Sequence, residues 1–377
     1  MIVFREVDDN VFELDKDTLN MIYTPNNVID RMKKSGETRF ESSENHKGAN
    51  CKFWISNKDI KEGLLFKYSK YRNKDEEQQR ATFYGELIID MICFYNNIPH
   101  TGYYPCCIIM KNGEVLKGSL STNYKQGKYD MEYSGENINT RYRQSQYDNN
   151  NGKIDHIEYN TVYEYIKQLE YLYPHRLDKE KIEEMKDYLL KIAVLDFLTL
   201  QKDRHWGNLG FMANQMKGIK SLTYIPVFDS ECCFCLDEPL STIEAYSQIV
   251  RNNKNPYSRL IRPMANSKSN VPLLGIKRTL VDNDISNRLV HRKFKKDEDQ
   301  SNYEIFLEDL VEELNKNPKL MAFYKNLKEF DLKGKMLQVG YFPDAVIDIA
   351  PELYKERINM IEKALEKQRS EENENKS

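Results

Sequence analysis

No excess of one charge sign runs through this 377-residue chain: 56 Lys and Arg stand against 59 Asp and Glu, a formal net charge of −3. Without a strong field of one sign, neither nucleic acid nor an anionic membrane is expected as a direct partner. A long apolar run is missing as well. The most apolar stretches, Leu87 to Phe94 and Ile192 to Leu200, are short and broken by Asp90 and Asp196, so neither crosses a hydrocarbon layer of ~30 Å. The opening MIVFREVDDN carries Arg5, Glu6, Asp8 and Asp9 where a secretory leader needs unbroken apolar residues. A soluble, cytoplasmic protein is the expectation, with export by a leaderless route left open. Cysteines are few and odd in number, seven, which favours free thiols over a disulfide framework. Cys232-Cys233-Phe234-Cys235 has CxxC spacing, but no second CxxC or HxxxH completes a set of zinc ligands, and buried strand thiols are the expected reading.

What the chain does hold is apolar and aromatic mass: 40% hydrophobic residues, with 25 Tyr and 16 Phe, enough for a substantial core. Its length suits two lobes. The expected class is α+β, a small β-rich N-lobe over residues 1–122 and a larger helical C-lobe over 161–368. Between them 123–160 reads as a polar connection or insertion, and 369–377 as a disordered tail. In the first lobe Cys51 to Ile55 and Gly63 to Tyr68 read as strands, and Ala81 to Asn96 as a helix. Strands Tyr104 to Met110 and Glu114 to Ser121 flank Lys111-Asn112-Gly113, an Asn-Gly hairpin signal in which both residues tolerate positive φ. In the second lobe a helix is expected over Thr161 to Tyr173. Another follows from an Asp178 N-cap to Leu200, and more lie around Tyr303 to Leu314, Lys319 to Leu327 and Pro351 to Gln368.

Directly after the Asp178 helix comes Lys202-Asp203-Arg204-His205-Trp206-Gly207-Asn208, a polar loop between apolar elements. About twenty residues later Tyr224 to Phe228 reads as a strand ending on Asp229, with Glu231 close behind. Phosphoryl transfer from a nucleotide needs this set: a carboxylate near the attacking hydroxyl, and a second carboxylate with a neutral amide oxygen to hold Mg²⁺. The Asp-to-Asn offset of five is that of the protein-kinase catalytic loop. A kinase also needs a strand lysine for the phosphates and a helix glutamate to hold it. Lys67 closes the apolar strand Leu64-Leu65-Phe66, and Glu86 follows nineteen residues later inside the next helix. Trp206 reads as a packing anchor, His205 as structural or nucleotide-adjacent, and Arg204 as neutralising either catalytic carboxylates or a phosphorylated residue.

With these residues in view, the run DRHWGN resembles the catalytic loop of HipA-like serine/threonine kinases, a family with a two-lobed protein-kinase-like fold. By motif the resemblance covers about Gly48 to Asp229. It implies that Gly48, Ala49, Asn50 and Lys52 belong to a phosphate-covering loop and that Lys67 grips the nucleotide. It likewise implies that Glu86 lies in the family's first helix and that Leu120, Ser121 and His205 border the nucleotide. By the same resemblance Asp203 is the catalytic base, and Asn208 and Asp229 are the metal ligands. ATP with Mg²⁺, or Mn²⁺, is then the cofactor. The partners implied are a protein substrate bearing a Ser or Thr hydroxyl and an antitoxin-type or regulatory protein. Kinases of this kind can also phosphorylate a serine in the phosphate-covering loop, which singles out Ser42 and Ser43. The sequence departs from the eukaryotic kinase pattern in reading Asp229-Ser230-Glu231 rather than Asp-Phe-Gly. Two alternatives stay open: a catalytically silent nucleotide-binding scaffold, and a kinase of lipid or small-molecule hydroxyls.

Overall fold

Period-two alternation of buried and exposed residues builds the first part of the chain. In β1 (Ile2–Asp8) Ile2 and Phe4 are buried while Arg5 points out, and in β2 (Val11–Leu14) Phe12 and Leu14 are buried. The computed structural model describes residues 1–15, 39–44, 50–56, 63–71, 81–124, 131–149, 161–174, 176–214, 216–252, 257–266, 275–278 and 302–374. Five further strands follow: β3 (Arg39–Glu44), β4 (Asn50–Ser56), β5 (Leu64–Tyr71), β6 (Tyr103–Ile109) and β7 (Val115–Thr122). All seven close into a barrel in the order β1-β2-β3-β4-β5-β7-β6. The closure is the parallel pairing of β1 with β6, Ile2 opposite Cys106 and Phe4 opposite Ile108; every other pairing in the barrel is antiparallel. Phe4, Phe12, Phe40, Phe66 and Tyr104 fill its interior.

The small β-rich lobe expected from sequence is therefore a closed barrel. Its first three strands escaped the pattern reading because four to seven residues with one or two described buried positions carry too little periodicity. The hairpin at residues 111–113 forms, but Gly113 alone takes positive φ, +84°, while the Asn112 side chain accepts from the Glu114 backbone N–H at 2.9 Å. Ser42 and Ser43 belong to β3, opposite Ile55 and Trp54 of β4, so they sit in a paired strand rather than in a loop that can swing out. Gly48 and Ala49 lie outside the described residues.

The chain divides into two units, each drawn from separate stretches. The first comprises Met1–Lys128, Pro226–Asn252 and Asp331–Ile349; the second comprises Tyr129–Ile225, Asn253–Phe330 and Ala350–Ser377. Besides the barrel, the first unit holds helix α1 (Thr82–Tyr95), buried over nearly its whole length, and the helices Leu240–Asn252 and Leu332–Val339.

The second unit has a three-stranded sheet, order β10-β9-β8, of β8 (Met131–Ser134), β9 (Gly210–Ala213) and β10 (Thr223–Tyr224). Helix α2 (Gly135–Asn149) follows β8. Helix α3 (Val162–Leu172) is capped by Thr161, and α4 (Lys179–Leu198) by Asp178, whose carboxylate accepts from the Lys181 backbone N–H at 2.7 Å. Helices Asn302–Lys316 and Pro318–Glu329 follow. Strand β8 and helix α2 thus occupy much of the stretch expected to be a connection. With Gly135 and Ile138 as its buried residues, α2 presents no apolar stripe to read. Likewise the C-terminal helix, Asp344–Glu374, begins before Pro351 and continues through most of the expected tail, propagating from a well-buried stretch. Among the described residues no helix is long and apolar enough to cross a membrane.

Candidate active site

Strand alternation places Lys67. Leu64, Phe66 and Tyr68 turn toward the barrel core, which leaves Lys67 on the opposite face of β5. There its ammonium donates three hydrogen bonds, to Glu86 Oε1 at 2.7 Å, Asp229 Oδ1 at 2.8 Å and Glu231 Oε1 at 2.7 Å. An ammonium group has three N–H bonds, so all are used. Lys67 and Glu86 are buried; the second oxygen of Glu86 accepts from the Ser119 hydroxyl, which β7 presents directly opposite Lys67. Lys52 is opposite Lys67 on β4 and therefore shares its face. Burial lowers the Lys52 pKa, and the Lys67 charge lowers it further.

Helix α1 brings in Glu86 by an unusually close approach. A Cβ on the neighbouring Gly85 would lie 2.9 Å from Cys233 Sγ and 3.0 Å from the Ser230 carbonyl, so only glycine lets the helix sit on the 230–233 turn. Asp229 itself adopts left-handed backbone, φ +55°, and its N–H donates to the Tyr103 hydroxyl at 3.1 Å. Left-handed backbone at a non-glycine residue costs energy and persists where its surroundings enforce it. Burial opposes the Lys67 charge, yet Asp229, Glu231 and Glu86 outweigh it and hold its pKa well above the ordinary lysine value. Burial pushes the Glu86 carboxyl up to about 7 against the pull of Lys67.

In the second unit, α4 runs into the Asp203 loop through Leu200, again left-handed at φ +53°. Gln201 Oε1 accepts from the Asp203 N–H at 3.2 Å. The Arg204 guanidinium is buried against Asp196 of α4, with Nε 3.1 Å from Oδ2 and Nη2 3.2 Å from Oδ1. Burial raises the Asp196 pKa while Arg204 pulls it down. Trp206 stacks on Tyr165 at 4.9 Å between ring centroids, as expected of an anchor. It leaves no room for a side chain at position 135, where a Cβ would fall 2.0 Å from Trp206 Cε3. His205 is exposed, and its Nδ1 accepts from the Gly207 N–H at 3.0 Å, closing the short helical turn Trp206–Asn208. Asn208 is buried, with Nδ2 3.5 Å from the Asp203 carbonyl, whereas Asp203 is exposed. The loop is a fixed turn that displays one carboxylate.

In the first unit, then, the structure gathers Lys67, Glu86, Asp229 and, on the same face, Lys52. It places Leu120 in the barrel core and Ser121 Oγ 3.5 Å from the Leu65 carbonyl; Asn50 opens β4. Sequence reasoning missed Ser119, Tyr103 and the part played by Glu231. The cysteine run is not a strand: Phe234 and Cys235 have φ of +51° and +58°, a turn in which Cys233 and Cys235 are buried. Among the described residues the grouping able to hold a metal is Glu86, Asp229 and Glu231, with ligand oxygens within 4.8 Å of one another.

The fold is kinase-like. The proinflammatory kinase CtkA of Helicobacter pylori matches this chain with a TM-score of 0.55 at 12% sequence identity, over 86% of this chain and 96% of that one. No protein-family model matches the chain, and no curated protein matches it in sequence.

Proposed function

We propose that this protein is an ATP- and Mg²⁺-dependent kinase that transfers the γ-phosphoryl group to a Ser or Thr hydroxyl of a protein. One observation carries the reading: a buried lysine on a barrel strand, held by a buried helix glutamate and by the carboxylate of Asp229. A kinase-like fold supports it. Lys67 grips the nucleotide's phosphates, and Glu86, fixed by Ser119, sets the position of its ammonium. Asp229 supplies a hard carboxylate oxygen, a donor that suits Mg²⁺, and would hold the metal. When bound, that metal supplies charge neutralisation across the phosphates. Asp203 accepts the proton of the attacking hydroxyl.

The test pairs binding with turnover. ATP with Mg²⁺ should raise the melting temperature, and incubation with a cell lysate should place phosphate from ATP on protein. Asp203→Ala should abolish transfer while leaving nucleotide binding in place; Lys67→Ala should weaken both. Failure of the intact chain to bind nucleotide would overturn the reading. Binding without transfer to any protein would leave a nucleotide-binding scaffold.

A further inference from the structure

The three carboxylates on Lys67 are not equally committed. Glu86 is fully buried and receives a second hydrogen bond from Ser119. Asp229 is fixed through its backbone, left-handed and tied by its N–H to Tyr103. Glu231 has neither restraint: its carboxylate is 14% exposed, and among the described residues it forms its ion pair with Lys67. Because every N–H of Lys67 already points at a carboxylate, a phosphate oxygen reaches this ammonium only when one of the three departs.

We propose that Glu231 is the group that departs, a carboxylate that stands in for a nucleotide phosphate on Lys67 and competes with it for the same N–H. The inference rests on the reading of Lys67 as the phosphate-gripping lysine. The charges agree with it. Counted as formal charges, Glu86, Asp229 and Glu231 outnumber Lys67 and Lys52 by one, and turning Glu231 away removes one negative charge from the path of an incoming polyanion. Burial separates Glu231 from Glu86 in the same direction, 14% exposed against 0%; Asp229, at 36%, is nearer to solvent still, and what sets it apart from Glu231 is its backbone, left-handed and tied to Tyr103. Glu231 therefore sets nucleotide affinity from the unfavourable side: an acidic residue whose removal tightens the binding of an anion.

Titration calorimetry with ATP, in the presence and absence of Mg²⁺, tests this on the full chain and on Glu231→Gln and Glu231→Ala, each checked by its melting curve. Both variants should bind ATP about tenfold more tightly than the unmodified chain, with and without Mg²⁺, the scale of one charge-assisted hydrogen bond released from competition. Affinity unchanged in both variants would overturn the inference while leaving the functional reading intact. So would weaker binding confined to the Mg²⁺ arm, which would make Glu231 a metal ligand. Absence of binding in all three proteins would sink the reading of Lys67 and this inference with it.

Discussion

Around Lys67, the charged groups of the candidate site pair with one another directly, and two of them are buried. Along the Asp203 loop the work is divided: Asp196 and Arg204 form the buried pair, Trp206 and Tyr165 hold the turn, and Asp203 is left exposed. In the first arrangement the chemical groups are also the structural ones, so altering one disturbs stability and chemistry together. In the second, positions that hold the loop can be altered apart from the carboxylate it displays.

The sharpest way to break this contrast is Asp196→Ala, which removes the carboxylate paired with the buried Arg204 guanidinium. A loss of about 3–5 kcal/mol is expected in denaturant unfolding. Replacing both partners by apolar residues, Asp196→Leu with Arg204→Met, should recover most of it, and a loss below about 1 kcal/mol in the single variant would mean the loop does not rest on this pair.

Next in size is Lys67→Met, which removes the buried cation from three carboxylates. At pH 8 a destabilisation of about 2–3 kcal/mol is expected, the cost of losing hydrogen bonds to charged groups. At pH 5.5 it should be smaller. Carboxylates crowded without a counter-charge bind protons more tightly folded than unfolded, so their contribution favours low pH and is lost as pH rises through their raised pKa values. Glu86 has this sign in the unmodified chain: its contribution is present below the ordinary 4.5 and is lost as pH rises through about 7. Melting temperatures across pH 5 to 8 for Lys67→Met, the unmodified chain and Glu86→Gln would show whether the first site is electrostatically self-contained; a flat difference between the first two would break that view.

Gly135→Ala tests the packing under the Trp206 anchor. A cost of about 1–3 kcal/mol is expected from overpacking, relieved when Trp206→Leu is added. Additive losses in the double variant would show that the two positions do not share this space. The smallest effect belongs to Tyr103→Phe, which leaves the Asp229 N–H without its hydroxyl acceptor and should cost about 1 kcal/mol by thermal unfolding.

How much of this was readable beforehand depended on whether a feature is encoded by spacing along the chain or by register between distant segments. The separation of Lys67 from Glu86, the offset of Asp203 from Asn208, and the cap at Asp178 are local, and so are visible in the residue string. Ser119 reaches Glu86 because β7 pairs with β5 in one register, which no local pattern specifies. Glu231 stands two residues beyond Asp229, but the left-handed turn that sends its carboxylate to Lys67 has no compositional signature in Asp-Ser-Glu. The parallel closure of β1 on β6 is non-local in the same way, and α2 is too polar to announce its buried side.

The order in which a ribosome delivers the chain gives the Lys67 cluster a history. Asp229 and Glu231 follow Lys67 by 162 and 164 residues, whereas Glu86 follows it by 19. At elongation rates of roughly 5–20 residues per second, Lys67 spends on the order of ten to thirty seconds with the means to pair with Glu86 alone. All seven barrel strands have been synthesised before that interval ends. A nascent or prematurely ended chain can therefore contain all seven barrel strands while two of the lysine's three carboxylate partners have yet to be made, and the finished arrangement marks a chain translated past Glu231.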